Sequence, residues 1–419
     1  MSVNVRQATT ALTQFLETTI GSVCDRCGGS VQTGPFGGQL HASDYSTEGI
    51  PVVMPQDLVG GRVSVAKIAR VHQDHVDRLS QHALRSGDIV FSRRGDVGRF
   101  AVITERESGW LCGTGCIRIR LSCPDINIDY IRHFLARKQT SDWLLFNAKG
   151  ITMPNLNTEI VRAIPIAYPP LNEQKRIAAV LDKADQLRQK RRQAIALLDS
   201  LTQSIFLEMF GDLIENDKSF AAGRISDWVE DFETGKNLAP DPDNSDPLSY
   251  RVLKVSAVTS GIFKAEEAKA LPKSYGAPLN HLIHKGDLLF SRANTAELIG
   301  ATAMVHTDCE RIVLPDKIWR FAWNAKNKPN PLFVHGMFSS SSFRGEISKR
   351  ATGTSGSMKN ISKEKVLNIR IGMPERQLQD DFAKRIEATQ RCRLNCENQL
   401  NVLEAHFSSL QHRAFSGQL

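Results

Sequence analysis

The amino-acid sequence predicts an α+β fold built twice: two homologous globular domains and two long helices that pack on each other as a coiled coil. Three observations predict it. Motifs recur at an offset near 205 residues in a chain of 419. Two long stretches carry apolar residues three or four apart. Between them lie short β-rich runs punctuated by turn residues.

The repeat organises everything else. Gly87-Asp-Ile-Val-Phe-Ser-Arg-Arg-Gly95 returns as Gly286-Asp-Leu-Leu-Phe-Ser-Arg-Ala-Asn294, an offset of 286 − 87 = 199. A longer series follows at 358 − 153 = 205, pairing Met153 with Met358, Asn155 with Asn360, Glu159 with Glu364, Ile164 with Ile369 and Pro169 with Pro374. The same offset joins Gln174 to Gln379, Ala178 to Ala383, Leu198 to Leu403, Phe210 to Phe415 and, upstream, Ile20 to Ile225. Chance supplies one such match, not an ordered series along both halves. A period this long means a duplicated domain pair, not a solenoid.

The first helical stretch runs from Asn172 to about Phe210, with Ile177, Val180, Ala184, Leu187, Ala194, Leu198, Leu201 and Ile205 on one face. Pro169-Pro170-Leu171-Asn172 starts it, with Asn172 as N-cap, and Gly211 stops it. The copy carries Phe382, Ile386, Thr389, Cys396, Leu400, Leu403, Phe407 and Leu410, from Pro374 almost to the last residue. Each spans roughly 35 residues, or about 50 Å at 1.5 Å per residue. Neither is apolar all round, so each needs a partner face. The economical arrangement seats Ile177, Leu187, Leu198 and Ile205 against Phe382, Ile386, Leu403 and Leu410; the alternative lays each helix on its own domain. Arg191 interrupts the seam, with a stem long enough to lie along apolar neighbours. The basic run Arg188, Lys190, Arg191 and Arg192 is either a solvated face or a phosphate or partner contact.

The domains are expected at 1–168 and 213–372, with the helical segments at 169–212 and 373–419. Strand-like runs include Ile89-Val-Phe-Ser, Ala101-Val-Ile-Thr, Ile117-Arg-Ile-Arg, Leu288-Leu-Phe-Ser and Trp319-Arg-Phe-Ala. Short helices are expected at 127–146 and 331–349, and the Pro/Asp-rich stretch from Pro240 to Pro247 reads as a loop.

Composition narrows the function. Fifty-three Lys and Arg against 45 Asp and Glu give a net charge of +8, and the pI is near 9.1. That excess favours a polyanionic partner without requiring one. No stretch approaches the ~18 apolar residues of a membrane span. The opening, Met1 to Gly21, is polar and lacks the apolar core of a signal peptide, so a cytoplasmic protein is expected. In such a chain eight cysteines do not form a disulfide framework. Cys24 and Cys27 have zinc-ligand spacing, but a structural site needs four ligands. The repeat sets Val229 and Phe232 opposite them, and Val313 opposite Cys112, so these cysteines are expected to be small buried side chains and no metal is expected.

Catalytic motifs are sparse. Tyr168-Pro-Pro-Leu lacks the amide or acid and the aromatic residue of an amino-methyltransferase loop. Gly235-Lys236-Asn237 is not a Walker loop, and His-Glu-x-x-His is absent. Asp241 with Glu267 and Lys269 resembles a degenerate metal-dependent nuclease pattern, but Arg62 stands at the place of Glu267 in the first copy. The remaining candidates are basic. Arg93, Arg94 and Arg292 follow an expected strand just before a turn, where arginine can reach base edges or phosphates, or serve only in an ion pair. Lys149, and Lys349, Arg350 and Lys359 around the turn at 351–357, are similar. Asn155 and Asn360 read as turn residues.

Together, Pro-Pro-Leu-Asn-Glu-Gln-Lys-Arg-Ile at 169–177, the long helix after it, the two GD…FSR strands, LPDKIWRF at 314–321 and TSGSMKNIS at 354–362 resemble the specificity subunit of Type I restriction–modification enzymes. The resemblance covers nearly the whole chain. The second copy departs from it, since Pro374-Glu-Arg-Gln lacks the double proline and the Glu-Gln pair. The resemblance implies two target-recognition domains that each read one half of a split site on double-stranded DNA. It implies antiparallel spacer helices related by an internal pseudo-two-fold axis. It also implies no catalytic centre and no cofactor on this chain: two methyltransferase subunits would bring S-adenosylmethionine, and motor–nuclease subunits Mg²⁺ and ATP. Two rival readings are a self-contained nuclease or methyltransferase, and a coiled-coil scaffold that binds no DNA.

Overall fold

The computed structural model describes residues 15–150, 153–353 and 358–419. The first fourteen residues of the polar opening, Ile151 and Thr152, and the 354–357 part of the Gly/Ser/Thr-rich turn lie outside the described residues. The chain forms two compact units, Met1–Lys190 with Leu400–Leu419, and Arg191–Gln399. Each holds one β-rich domain and half of each long helix. Those helices are Leu171–Phe210 and Arg376–Phe415, 40 residues apiece. Asn172 lies inside the first rather than capping it. The amides of Glu173 and Gln174 already donate to Pro170 O, at 2.9 and 3.0 Å, so the proline carbonyl closes the first turn.

In the first unit, Leu16–Thr19 pairs antiparallel with Pro165–Tyr168. The helix Ile20–Cys27 follows, capped by the Thr19 hydroxyl and ended by Gly28 at φ 66°. A four-stranded sheet runs in the order Ser30–Thr33, Cys116–Arg120, Ile89–Ser92, Phe100–Val102. A three-stranded sheet runs Ala69–Val71, Ile50–Val53, Leu111–Cys112. The second unit repeats this. Ala221–Arg224 pairs with Arg370–Met373. The four-stranded sheet is Val229–Thr234, Ile318–Trp323, Leu288–Ser291, Thr302–Met304. The three-stranded one is Ala268–Ala270, Arg251–Leu253, Ile312–Val313. Cys112 and Val313 hold the same parallel register, against Val53 and Val252. The strand-like runs of the sequence fall in these sheets because their residues are β-branched or aromatic and nearly all buried.

The stretches expected to be helical at 127–146 and 331–349 each break in two: Ile128–Leu135 and Lys138–Asn147, Pro331–Ser339 and Ser341–Arg350. Arg137 and Ser340 are extended at the breaks. Nearby hydroxyls take up the freed carbonyls: Thr140 donates to Phe134 O at 3.2 Å and Ser340 to Met337 O at 2.8 Å.

The cysteine reading needs a correction. Cys24 and Cys112 are buried, but Cys27 is half-exposed and forms a disulfide with Cys123. The bond ties the Ile20–Cys27 helix to the segment leading into Ile128–Leu135. The repeat carries no trace of the bond, because the second copy has Phe232 in the place of Cys27.

Candidate nucleic-acid interface

The recurrent Gly-Asp strand motif is structural at its start. Asp88 is buried, accepts from the Arg85 amide at 2.8 Å, and takes two bonds from Arg120 on the neighbouring strand, at 2.7 and 2.6 Å. Asp287 accepts from the His284 amide at 2.9 Å and from Arg320 at 3.1 Å. A buried carboxylate needs such donors. The pair fixes each strand in its sheet and therefore where the arginine after it emerges.

That arginine begins the same backbone loop in both units. The Arg93 amide donates to Gly115 O at 2.7 Å, and its carbonyl accepts from the Leu156 amide at 2.8 Å. The Arg292 amide donates to Lys317 O and its carbonyl accepts from the Ile361 amide, both at 3.1 Å. Arg94 is bridged to Asn155, which is bridged in turn to Lys149. In the second unit Ala293 and Thr352 are the partners of Asn360. The two asparagines thus occupy one place. Around them the side chains differ, with Arg94 against Ala293 and Lys149 against Thr352.

The first unit brings Arg93, Arg94 and Lys149 together. Arg94 and Lys149 are exposed, and Arg93 is half-buried. Arg93 Nε and Asn155 Oδ1 are buried and, among the described residues, have no hydrogen-bond partner. The second unit commits all but one of its candidate charges internally. Arg292 Nε donates to Asp316 O at 2.7 Å, and its guanidinium lies 6.0 Å from the Trp319 ring. Arg350 pairs with Glu346 at 2.6 Å, and Lys359 Nζ reaches Ser348 O at 3.5 Å. Lys349 is exposed on the last turn of Ser341–Arg350. Met153 and Met358, beside the asparagines, are 59% and 45% exposed.

Away from these loops, Glu267 of the nuclease-like pattern is held by Lys254 at 2.7 Å and Ser256 at 2.6 Å, and the bond from Lys254 leads the causes that lower its pKa. Asp241 sits in its loop with its amide on Ala270 O at 2.9 Å.

Each long helix is anchored to its domain by a buried glutamine. Gln174 accepts from the Asn127 amide at 2.8 Å and donates to Asp125 O and Pro169 O, at 2.9 and 2.8 Å. Gln379 accepts from the Asn330 amide at 2.8 Å and donates to Pro374 O at 2.9 Å. The repeat pairs these glutamines, but only the structure shows their work.

Within each unit the helices pack antiparallel. Arg188 meets Glu404 at 2.6 Å in the first, and Arg393 meets Asp199 at 2.6 Å in the second. Of the seam candidates, Ile177, Phe382 and Ile386 are buried. Ile205 and Leu410 pack on the two cores, and Leu198 and Leu403 are half-buried. Leu187 is 49% exposed; its neighbour Arg188 turns inward instead, its guanidinium 4.0 Å from the Phe407 ring. Arg191 donates to Cys396 Sγ at 3.6 Å.

One cluster in the first unit was not singled out by any motif or repeat. Arg132 and His133 are buried on the short helix and both meet Asp182, with His133 Nε2 at 2.9 Å. Burial and the Arg132 charge lower the His133 pKa, against the pull of Asp182. Its sequence signal was slight: Arg132 faces His335 and Asp182 faces Glu387 in the second copy, and only His133 has no polar counterpart, facing Gly336.

Fold and loops define a class: a duplicated two-domain protein whose copies present one backbone loop with different side chains. A family model described as the Type I restriction modification DNA specificity domain matches residues 42–197. The Type I restriction enzyme MjaVIII specificity subunit of Methanocaldococcus jannaschii is 26% identical over 283 residues, 64% of this chain and 65% of that relative. The EcoKI specificity subunit of Escherichia coli is 24% identical over 306 residues, 69% of this chain and 65% of the relative. The chain therefore spans just under two thirds of either relative's length. A Type I system S subunit from M. genitalium shares the fold, with a TM-score of 0.56, 14% identity and 97% of both chains covered. So does a structure from work on assembly and conformational transition of the Type I system, with a TM-score of 0.54, 16% identity, and 97% of this chain and 98% of that one covered. The chain is thus similar to Type I restriction–modification specificity subunits, through the family model over residues 42–197 and through these relatives. No helix among the described residues is long and apolar enough to cross a membrane.

Proposed function

We propose that this chain is the non-catalytic DNA-recognition subunit of a cytoplasmic Type I restriction–modification complex. Residues 1–168 and 213–372 act as target-recognition domains, each reading one half of a bipartite, asymmetric site. The helical segments 169–212 and 373–419 serve as spacer and as the frame on which two methyltransferase subunits dock. Those subunits supply S-adenosylmethionine, and motor–nuclease subunits supply Mg²⁺ and ATP.

One observation carries the reading. The same loop follows the same strand in both domains, yet it presents Arg94 and Lys149 in one and Ala293 and Thr352 in the other. Two readers with one backbone and different side chains suit two half-sites of different sequence. Arginine and lysine at such a loop neutralise phosphates and reach base edges in the major groove.

Genome-wide methylation mapping in cells with and without the gene tests this. A split adenine-methylated motif should vanish on deletion. An unchanged methylation map overturns the proposal. So does cleavage or methylation of plasmid by the pure chain given only Mg²⁺ and S-adenosylmethionine.

A further inference from the structure

The repeat acts as a comparison built into one molecule. What two readers of different sequences share cannot be what tells the sequences apart. Around each loop the discriminating side chains have diverged: Arg94 and Lys149 on one side, Ala293 and Thr352 on the other. Phe146, 89% exposed, is three residues before Lys149, where the second domain has exposed Lys349 three before Thr352. Against this divergence one large exposed side chain is kept. Met153 and Met358 hold the same offset as Asn155 and Asn360.

The backbone holds both methionines alike. A Cβ on Gly150 would come within 2.6 Å of Met153 O, and one on Gly353 within 2.5 Å of Met358 O. Only glycine lets the chain pass so close to the methionine carbonyl. On the other side, the Gly95 amide donates to Pro154 O at 3.1 Å. A single exposed apolar residue is ordinary. Two at one register, each with its carbonyl set against a glycine, on domains whose neighbouring side chains differ, call for a common contact. Methionine suits it, being apolar, unbranched and able to adapt to whichever base or sugar it meets.

Building on the DNA-reading function above, we infer that Met153 and Met358 are equivalent apolar contacts to DNA, one per domain, made whatever the base sequence. Arg94 and Lys149 then carry base-dependent contacts of the first domain alone. An apolar side chain pressed against a base step or deoxyribose adds affinity without adding a counterion-releasing charge.

The test uses the full chain assembled with its methyltransferase and a duplex bearing the mapped site. Met153→Ala and Met358→Ala should each weaken binding about tenfold, equivalent to about 1.4 kcal/mol. Met153→Leu and Met358→Leu should restore it. The slope of affinity against salt should stay as in the wild type. So should the preference for the site over duplexes with one base pair changed. Arg94→Ala should reduce the salt slope and relax preference in one half-site only. Methionine variants that bind like the wild type while Arg94→Ala does not would overturn the inference and leave DNA reading standing. A methionine variant that alters preference at one half-site would also overturn it. If the wild-type assembly binds no DNA, the parent reading falls, and the inference with it. Because both side chains are exposed, an unchanged melting temperature confirms that the variants are folded.

Discussion

The two units meet their helices at the same place by different chemistry. Six residues beyond Asn330 stands Gly336, and six beyond Asn127 stands His133. In the second unit Phe206, Phe210, Phe333 and Phe382 fill the junction. Phe210 lies 4.8 Å from Phe333 and 5.4 Å from Phe382 between ring centres, both edge to face. A Cβ at Gly336 would fall 2.9 Å from the Phe382 ring and 3.0 Å from that of Phe206, so the glycine makes room for the rings. In the first unit the corresponding edge-to-face pair is Tyr130 with Phe415, at 5.3 Å. Phe134 also meets Phe415 edge to face at 5.3 Å, and beside these rings stands a polar group: Arg132, His133 and Asp182, with Gln411 donating to His133 O at 3.3 Å. Duplication preserved how the helix is held at its start, through Gln174 and Gln379, and left the filling of the junction free. The aromatic version gains from burial and ring geometry. The ionic version must first desolvate its charges, so it contributes orientation more than stability.

The largest expected effect lies in the aromatic junction. Phe382→Ala should cost about 4 kcal/mol through lost burial and an unfilled cavity. Hydrogen exchange of the full chain, read peptide by peptide, should show the loss within 191–399. An equal loss among peptides of the first unit would break the comparison.

In the ionic junction, Asp182→Ala leaves the Arg132 guanidinium only the longer carboxylate contact with Asp129, 3.6 Å from its Nε. Asp182 is 30% exposed, so the cost should be about 2–3 kcal/mol, below that of a fully buried pair. Replacing Arg132, His133 and Asp182 together by Leu, Gly and Leu, which leaves no charge of the cluster behind, should return most of it. If the triple variant is worse than Asp182→Ala, the ionic cluster stabilises the fold outright.

Acid is expected to reach the aromatic unit too. His335 is pushed down to about 4, chiefly by burial and then by the His306 charge; its Nδ1 lies 2.9 Å from the Thr302 hydroxyl. The neutral ring is the form the fold accepts. Its contribution is therefore complete above the unfolded value of about 6.5 and is lost as pH falls from there through about 4. Some of the side chain remains accessible, which trims the loss to about 2 kcal/mol. Melting of wild type and His335→Leu from pH 7 to 4 should show the wild type falling more steeply. His133 shifts in the same direction, so the variant keeps the first unit's acid response, and parallel curves would exclude His335 as a source of acid lability.

These contrasts mark what the sequence could reveal. Backbone requirements repeat and are visible as identities: Asp88 and Asp287, Asn155 and Asn360, Gln174 and Gln379. Each satisfies the same donors or register in both copies. Features of one copy left no such trace. The Cys27–Cys123 bond joins residues 96 apart and faces Phe232 in the repeat. The Arg132–His133–Asp182 cluster is scattered over two helices. An apolar stripe alone also placed Leu187 at the seam, because it could not weigh an arginine that has both a carboxylate and a ring to meet. The same limit applies to the basic loop residues. Sequence put Arg94 and Arg292 in one class, whereas Arg94 is exposed and Arg292 turns back to Asp316.

The smallest effect concerns the helix pair itself, where the units are most alike. Arg188 with Glu404 and Arg393 with Asp199 occupy matching places, since 393 − 188 and 404 − 199 are both 205. Their surroundings differ. Arg188 is 14% exposed, also bonds Asp185 at 3.2 Å, and lies over Phe407. Arg393 is 25% exposed and its partner Asp199 53%, with Glu397 sharing the charge at 3.1 Å. A double-mutant cycle to alanine should give a coupling of about 1 kcal/mol for Arg188–Glu404 and about 0.3 kcal/mol for Arg393–Asp199, the range of partly exposed pairs. Salt should erase the second before the first, because screening acts most on the more exposed charges. Equal couplings with equal salt sensitivity would mean that the ring under Arg188 adds nothing. The units would then differ at the junctions and loops but not along the rods.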